Sequence, residues 1–191
     1  MGGMVAQLLY RRHPALLSGL VLCSTAGNLL ESPVEKLAAL GLPPAAAAIR
    51  WNPFLRMLTA EVLGPALIGT IDDRATASWA RAQLRRTTLA TAFSAMQAVS
   101  EFSSDEWIGE VDVPPAVLVT TQDSVVPSSR QRELARAIPG ASVYELDADH
   151  AVCITAPQVF AHVLLMACTS VQSGLGASAR GKRPTLAGPA S

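Results

Sequence analysis

The sequence predicts an α/β fold: a short parallel sheet of about three strands, crossover helices, and an inserted helical segment. Two observations carry this. After Val113-Pro114-Pro115 the chain alternates strand, helix, strand, helix, the order that makes neighbouring strands parallel. Between the first strand and that alternation runs an alanine-rich helical stretch, broken at Gly41-Leu42-Pro43-Pro44, Asn52-Pro53, Gly64-Pro65 and Gly69.

Each element has a local reason. Residues 2–12 predict a helix whose inward stripe is Val5, Leu8 and Leu9, closed by Arg12, at i, i+3, i+4, i+7 spacing; Pro14 stops it. Ser18 to Ser24 predicts a buried strand with the body Gly19-Leu20-Val21-Leu22-Cys23. Ala75–Arg86 and Thr88–Phe102 are the longest helical patterns of the insertion. Ala116–Thr121 is a strand, Ser128–Ile138 a helix capped by Ser128 or Ser129, and 142–146 a further strand. Pro157–Cys168 is a last helix with proline at its first position. Residues 171–191 are small, polar and rich in Gly and Pro, and predict a disordered tail.

Composition narrows the function classes. Half of the 191 residues are hydrophobic, enough for one domain with a sizeable core, and the formal net charge is zero with no basic stripe. Nucleic acid is therefore not an expected partner. No uninterrupted apolar run reaches the roughly 18 residues of a membrane span, and the N-terminal stretch has no basic region ahead of it. Three cysteines, Cys23, Cys153 and Cys168, form no C-x-x-C and no metal spacing, which favours a reducing, cytoplasmic location and no metal. Cys153 is expected to be buried at the start of the last helix.

The chemistry-bearing residues stand at strand ends. The strand 116–121 runs into Gln122-Asp123-Ser124-Val125-Val126-Pro127, and the strand 142–146 runs into Asp147-Ala148-Asp149-His150, 27 residues after Asp123. Open α/β sheets place their sites outside the carboxyl ends of strands. Asp147 and Asp149 are alternative acids beside His150, and Ser24, ending the first strand, is a weak alternative nucleophile. His13 and His162 fall on helices, where solvent-facing or packing roles are expected. Trp51, Phe54, Met57, Phe93, Met96 and Trp107 could line an apolar pocket or pack helices together.

An acid after one strand and a histidine after the next, in this order, resembles the α/β-hydrolase family. Met1-Gly2-Gly3-Met4-Val5-Ala6-Gln7-Leu8-Leu9-Tyr10 is similar to the second half of that family's Gly-x-Ser-x-Gly-Gly elbow and its helix, beginning directly after the serine. The resemblance implies a partial α/β-hydrolase fold. Residues 1–170 would be an incomplete domain: 1–30 core helix and strand, 31–110 helical cap or lid, 111–170 core bearing the acid and histidine loops. His150 would be the general base, Asp123 its orienting acid, the Met1 backbone N–H an oxyanion donor, and Gly2 and Gly3 the elbow glycines. The implied reaction is hydrolysis of a small, apolar ester, lactone or lipid-like molecule with no cofactor. The serine and the second oxyanion donor are expected to stand outside these 191 residues, whether through a gene boundary or a fragment, so the chain as written is expected to be inactive. The alternative is a non-catalytic binding protein that keeps the pocket. A shortened sheet would also expose an edge strand open to self-association.

Overall fold

The structure is a computed structural model that describes residues 1–30, 44 and 73–181. Helix α1 (Gly2–Arg12) leads through a 3₁₀ turn at Pro14–Leu16 into β1 (Leu20–Cys23). Helices α2 (Arg74–Arg86) and α3 (Leu89–Glu101) and a second 3₁₀ turn at Ile108–Glu110 come next. Then follow β2 (Pro115–Thr120), α4 (Ser128–Ala137), β3 (Ser142–Leu146), a single turn α5 (Val152–Thr155) and α6 (Pro157–Gly181). The three strands form one parallel sheet in the order β1-β2-β3, with Cys23 opposite Leu118 and Thr120 opposite Leu146.

Strand β2 is central, and its Ala-Val-Leu-Val run is fully buried on both faces, as a parallel strand covered by helices requires. Val117 and Val119 join Leu22, Tyr10, Leu134 and Ile138 on the side of α1 and α4. Ala116 and Leu118 face the other way, against Ala167 and Val171 of α6 and Val152 of α5. The result is a helix–sheet–helix sandwich whose strand ends all open toward one edge.

Helix α1 lies where its pattern predicts but turns the other way. Its buried residues are Met4, Gln7 and Tyr10, whereas Val5 and Leu9 are exposed. Polar satisfaction decides this. Gln7 Nε2 donates to the Ala26 carbonyl (3.2 Å) and its Oε1 accepts from the Ser104 hydroxyl (2.6 Å). The Tyr10 hydroxyl donates to Asp112 Oδ1 (2.9 Å) and accepts from the Asp112 N–H (3.1 Å). Hydropathy counts those two side chains as outward-facing; their partners make them inward.

Three further expectations are corrected. Helix α4 is capped by Pro127 without a serine side chain: the Pro127 carbonyl accepts from the Arg130 and Gln131 N–H groups, leaving the Ser128 hydroxyl to accept from Arg132. Cys153 lies in α5 and is exposed. Helix α6 continues past residue 171 to Gly181 instead of giving way to a tail there. Val171 packs on Ala116, and the Ser170 hydroxyl meets that of Ser142 at 2.9 Å. A side chain at Gly19 would lie 2.2 Å from the Val171 methyl, so its absence admits the helix. Residues 182–191 lie outside the described residues. By length and composition alone, Pro157–Leu175 of α6 could cross a membrane, although polar residues interrupt its apolar run. Its Ala167–Val171 face nevertheless packs on the sheet.

Of the insertion, α2 is capped by Asp73, whose Oδ2 accepts from the Thr76 N–H (2.6 Å), and it buries no residue. Helix α3 is capped by Thr88 in the same manner. The chain leaves the sheet at Asn28 and returns at Ser103, where those two residues form a β-bridge and the Ser104 N–H donates to the Gly27 carbonyl (2.8 Å). Trp51, Phe54 and Met57 lie outside the described residues.

Candidate active site

Asp123 and His150 meet beyond the carboxyl ends of β2 and β3, with His150 Nδ1 2.8 Å from Asp123 Oδ2. Two backbone bonds tie their loops together: the Thr121 N–H donates to the Leu146 carbonyl (2.9 Å) and the Gln122 N–H to the Ala148 carbonyl (3.0 Å). The pairing of β2 and β3 thus extends past the strands into the acid and histidine loops.

The acid is enclosed and the base is not. The Asp123 side chain is fully buried, while that of His150 is 38% exposed. Asp123 Oδ1 accepts from the Val125 and Val126 N–H groups at 2.9 and 2.8 Å. Oδ2 faces His150 Nδ1, the Thr120 hydroxyl (2.8 Å) and Gln131 Nε2 (3.1 Å). Burial alone would raise the carboxyl. The Val126 N–H, the bonds from His150 and Thr120, and the charge of the imidazole outweigh burial and hold the carboxyl below 3.8. Asp123 is therefore a fixed anion at neutral pH. With Nδ1 facing that anion, Nε2 is the nitrogen left to exchange protons with a substrate or a nucleophile.

The other candidates are placed elsewhere. Asp147 accepts from the Thr121 hydroxyl and Gln122 Nε2, and Asp149 accepts from the Ala151 N–H, so both brace loops. Ser24 is the one non-glycine residue with positive φ (+48°) among the described residues, and its hydroxyl lies 3.1 Å from that of Thr120. No helix follows it directly, unlike an elbow serine. Burial pushes the Cys23 thiol up to about 11, with Cys168 and Cys153 adding to the effect, which keeps it protonated at neutral pH. Trp107 packs on the core under Arg11, whose guanidinium stands 5.6 Å from the ring centroid. No group of three or more His, Cys, Asp or Glu side chains that could hold a metal occurs among the described residues.

Met1 is the N-cap of α1, its carbonyl accepting from the Met4 and Val5 N–H groups. A Cβ on Gly3 would fall 2.5 Å from the Thr25 side chain, so the start of α1 and the exit of β1 touch only because residue 3 is glycine. Gly2 has open space where a side chain would go. Two cavities, of about 250 Å³ beside Gly27, Asp105 and Glu133 and about 440 Å³ beside Tyr144 and Met166, both lie apart from Asp123 and His150. Thr120 and Gln131 belong to the site and were missed from sequence. Gln131 shares the 131, 134, 135, 138 stripe with buried Leu134, Ala135 and Ile138, the signal that could have flagged it.

Solved structures share the fold. A hydrolase from Pseudomonas aeruginosa PA01 is 26% identical with a TM-score of 0.67, covering 87% of this chain and 61% of that one. The enol-lactonase from Burkholderia xenovorans LB400 is 25% identical with a TM-score of 0.62, covering 88% of this chain and 63% of that one. A thermophilic esterase from Thermogutta terrifontis, 21% identical with a TM-score of 0.69 over 89% of this chain and 62% of that one, shares the fold. The chain thus spans about three fifths of the length of the structures it matches. No curated protein matches it. The model of the α/β-hydrolase family matches residues 1–163, and with the acid and histidine meeting at the strand ends as they do, the chain belongs to that family.

Proposed function

We propose that this chain carries the acid and the base of a Ser-Asp-His triad that hydrolyses a small, apolar ester or lactone. The observation that carries the proposal is the 2.8 Å contact of a buried, multiply bonded Asp123 with a half-open His150. Asp123 holds the imidazole tautomer and stabilises the imidazolium; His150 Nε2 takes the serine proton and returns it to the leaving group. A serine placed immediately before Met1 would set the Met1 N–H to donate to the oxyanion, with Gly3 admitting the tight turn against Thr25. The esterase and lactonase among the structural neighbours support the substrate class. Three free thiols fit a reducing cytoplasm. The outer edges of β1 and β3 leave room for self-association, which sedimentation would detect.

The test is a serine-directed fluorophosphonate with intact-mass readout, applied to the 191-residue chain and to a form extended by an upstream Gly-x-Ser. Labelling of the extended form at that serine, with hydrolysis of a nitrophenyl ester or a lactone, supports the proposal. Labelling of the 191-residue chain itself overturns the assignment of the nucleophile. An extended form that folds and binds the apolar ester without hydrolysing it favours the binding role.

A further inference from the structure

We infer that Gln131 is a positioning residue for the acid: its side-chain amide locks the Asp123 carboxylate toward His150. This rests on the proposed roles of Asp123 and His150 and adds a residue to them. Gln131 projects from the first turns of α4 and is fully buried. Its Oε1 accepts from the Thr120 N–H at the end of β2 (3.0 Å). That bond fixes which end of the amide points where. Nε2 must then face Asp123 Oδ2 (3.1 Å), the Val126 carbonyl (2.7 Å) and the Thr120 hydroxyl (3.1 Å). Turning the amide over would set Oε1 against a carboxylate and a carbonyl and leave the Thr120 N–H facing a donor.

One side chain thus joins the strand end, the acid and the backbone just beyond it, holding both ends of the turn that carries Asp123. The near alternatives do not do both jobs. Glutamate would accept from Thr120 but add a second carboxylate beside Asp123. Lysine would donate to Asp123 but could not accept from Thr120. Asparagine is one methylene shorter. The Thr120 hydroxyl, with a single proton and its shortest contact to Asp123 (2.8 Å), completes the clamp. Gln131 does not face the reacting atoms; it acts through Asp123 on the imidazole.

The experiment follows two NMR signals in the 191-residue chain: the titration of the Asp123 side-chain carboxyl carbon, and the downfield His150 Nδ1 proton. Neither requires hydrolysis, so failure here is distinct from failure of the proposed reaction. In Gln131→Met, which keeps size and loses the donor, the Asp123 midpoint rises by on the order of half a unit and the Nδ1 proton exchanges faster. Gln131→Glu raises the midpoint further through like charge. An unchanged midpoint and an unchanged Nδ1 proton in folded Gln131→Met overturn the inference. If both variants unfold, the unsubstituted chain decides. The Gln131 side-chain amide resonances shift with the Asp123 midpoint if the clamp exists, and their indifference to that titration overturns it.

Discussion

Two glutamine side chains are fully buried among the described residues, and they do different work. Gln7 sits where the start of the insertion meets its return, joining the Ala26 carbonyl and the Ser104 hydroxyl, both neutral. Gln131 sits at the acid corner and gives its amide protons to a carboxylate and a carbonyl. The same chemical group is architecture in one place and electrostatics in the other. A neutral junction can only hold or break, whereas a junction with an anion also sets how strongly that anion keeps its charge.

Substitutions separate the two corners. The largest effect belongs to the acid corner: in a form extended by the elbow serine, His150→Ala lowers kcat about ten-thousand-fold with little change in thermal stability. A residual rate within tenfold of the parent would remove His150 from the chemistry. The Gln7 junction answers in stability alone. Gln7→Leu leaves the Ala26 carbonyl without the Gln7 amide and the Ser104 hydroxyl with only its longer bond to the Gly27 carbonyl (3.3 Å), and costs about 1–3 kcal/mol in urea unfolding. The Asp123 carboxyl titration should not move in that variant; a shift would mean that the corners are coupled.

Acid separates them next. Asp123 keeps its proton off more readily when folded than its ordinary 3.8. Its contribution to stability is therefore complete above that value and is lost as pH falls through the lower, folded one. Urea midpoints measured from pH 6 downward should fall in that window, and Asp123→Asn should flatten the fall. Gln7→Leu should lower the midpoints in parallel, because Gln7, Ala26 and Ser104 carry no titrating group. The smallest effect tests the orientation of α1. Leu9→Ser, at an exposed position, should change the stability of the 191-residue chain by within about 0.5 kcal/mol, where Met4→Ala should cost about 2 kcal/mol or more.

Strand ends were readable from sequence because two independent patterns agree there: a buried apolar run, then an acid or a histidine in the loop. Those patterns placed Asp123 and His150 at strand ends, and their roles came from the resemblance to the α/β-hydrolase order of acid and histidine. The faces of helices were harder. In α1 the apolar residues Val5 and Leu9 point outward while Gln7 points in, because a buried amide with two good partners has no hydropathy signature. Gln131, between two arginines, reads as solvent-facing until it is set on the same stripe as Leu134 and Ile138. The length of α6 was missed for a related reason: its far half is small and polar, and the sequence does not show that Val171 packs on Ala116 and over Gly19.

The β-bridge between Asn28 and Ser103 brings the exit and the return of the insertion to a single doorway. The segment between those two residues starts and finishes at one bridge outside the sheet, so exchanging it should leave strand register and the meeting of Asp123 and His150 as they are. The fold thus keeps both ends of the insertion away from the loops that carry Asp123 and His150. Transplanting the corresponding segment of a structural neighbour between Asn28 and Ser103 is then a graft with a single scar, and under the proposed function it should redirect substrate choice while the Asp123–His150 contact stays as it is.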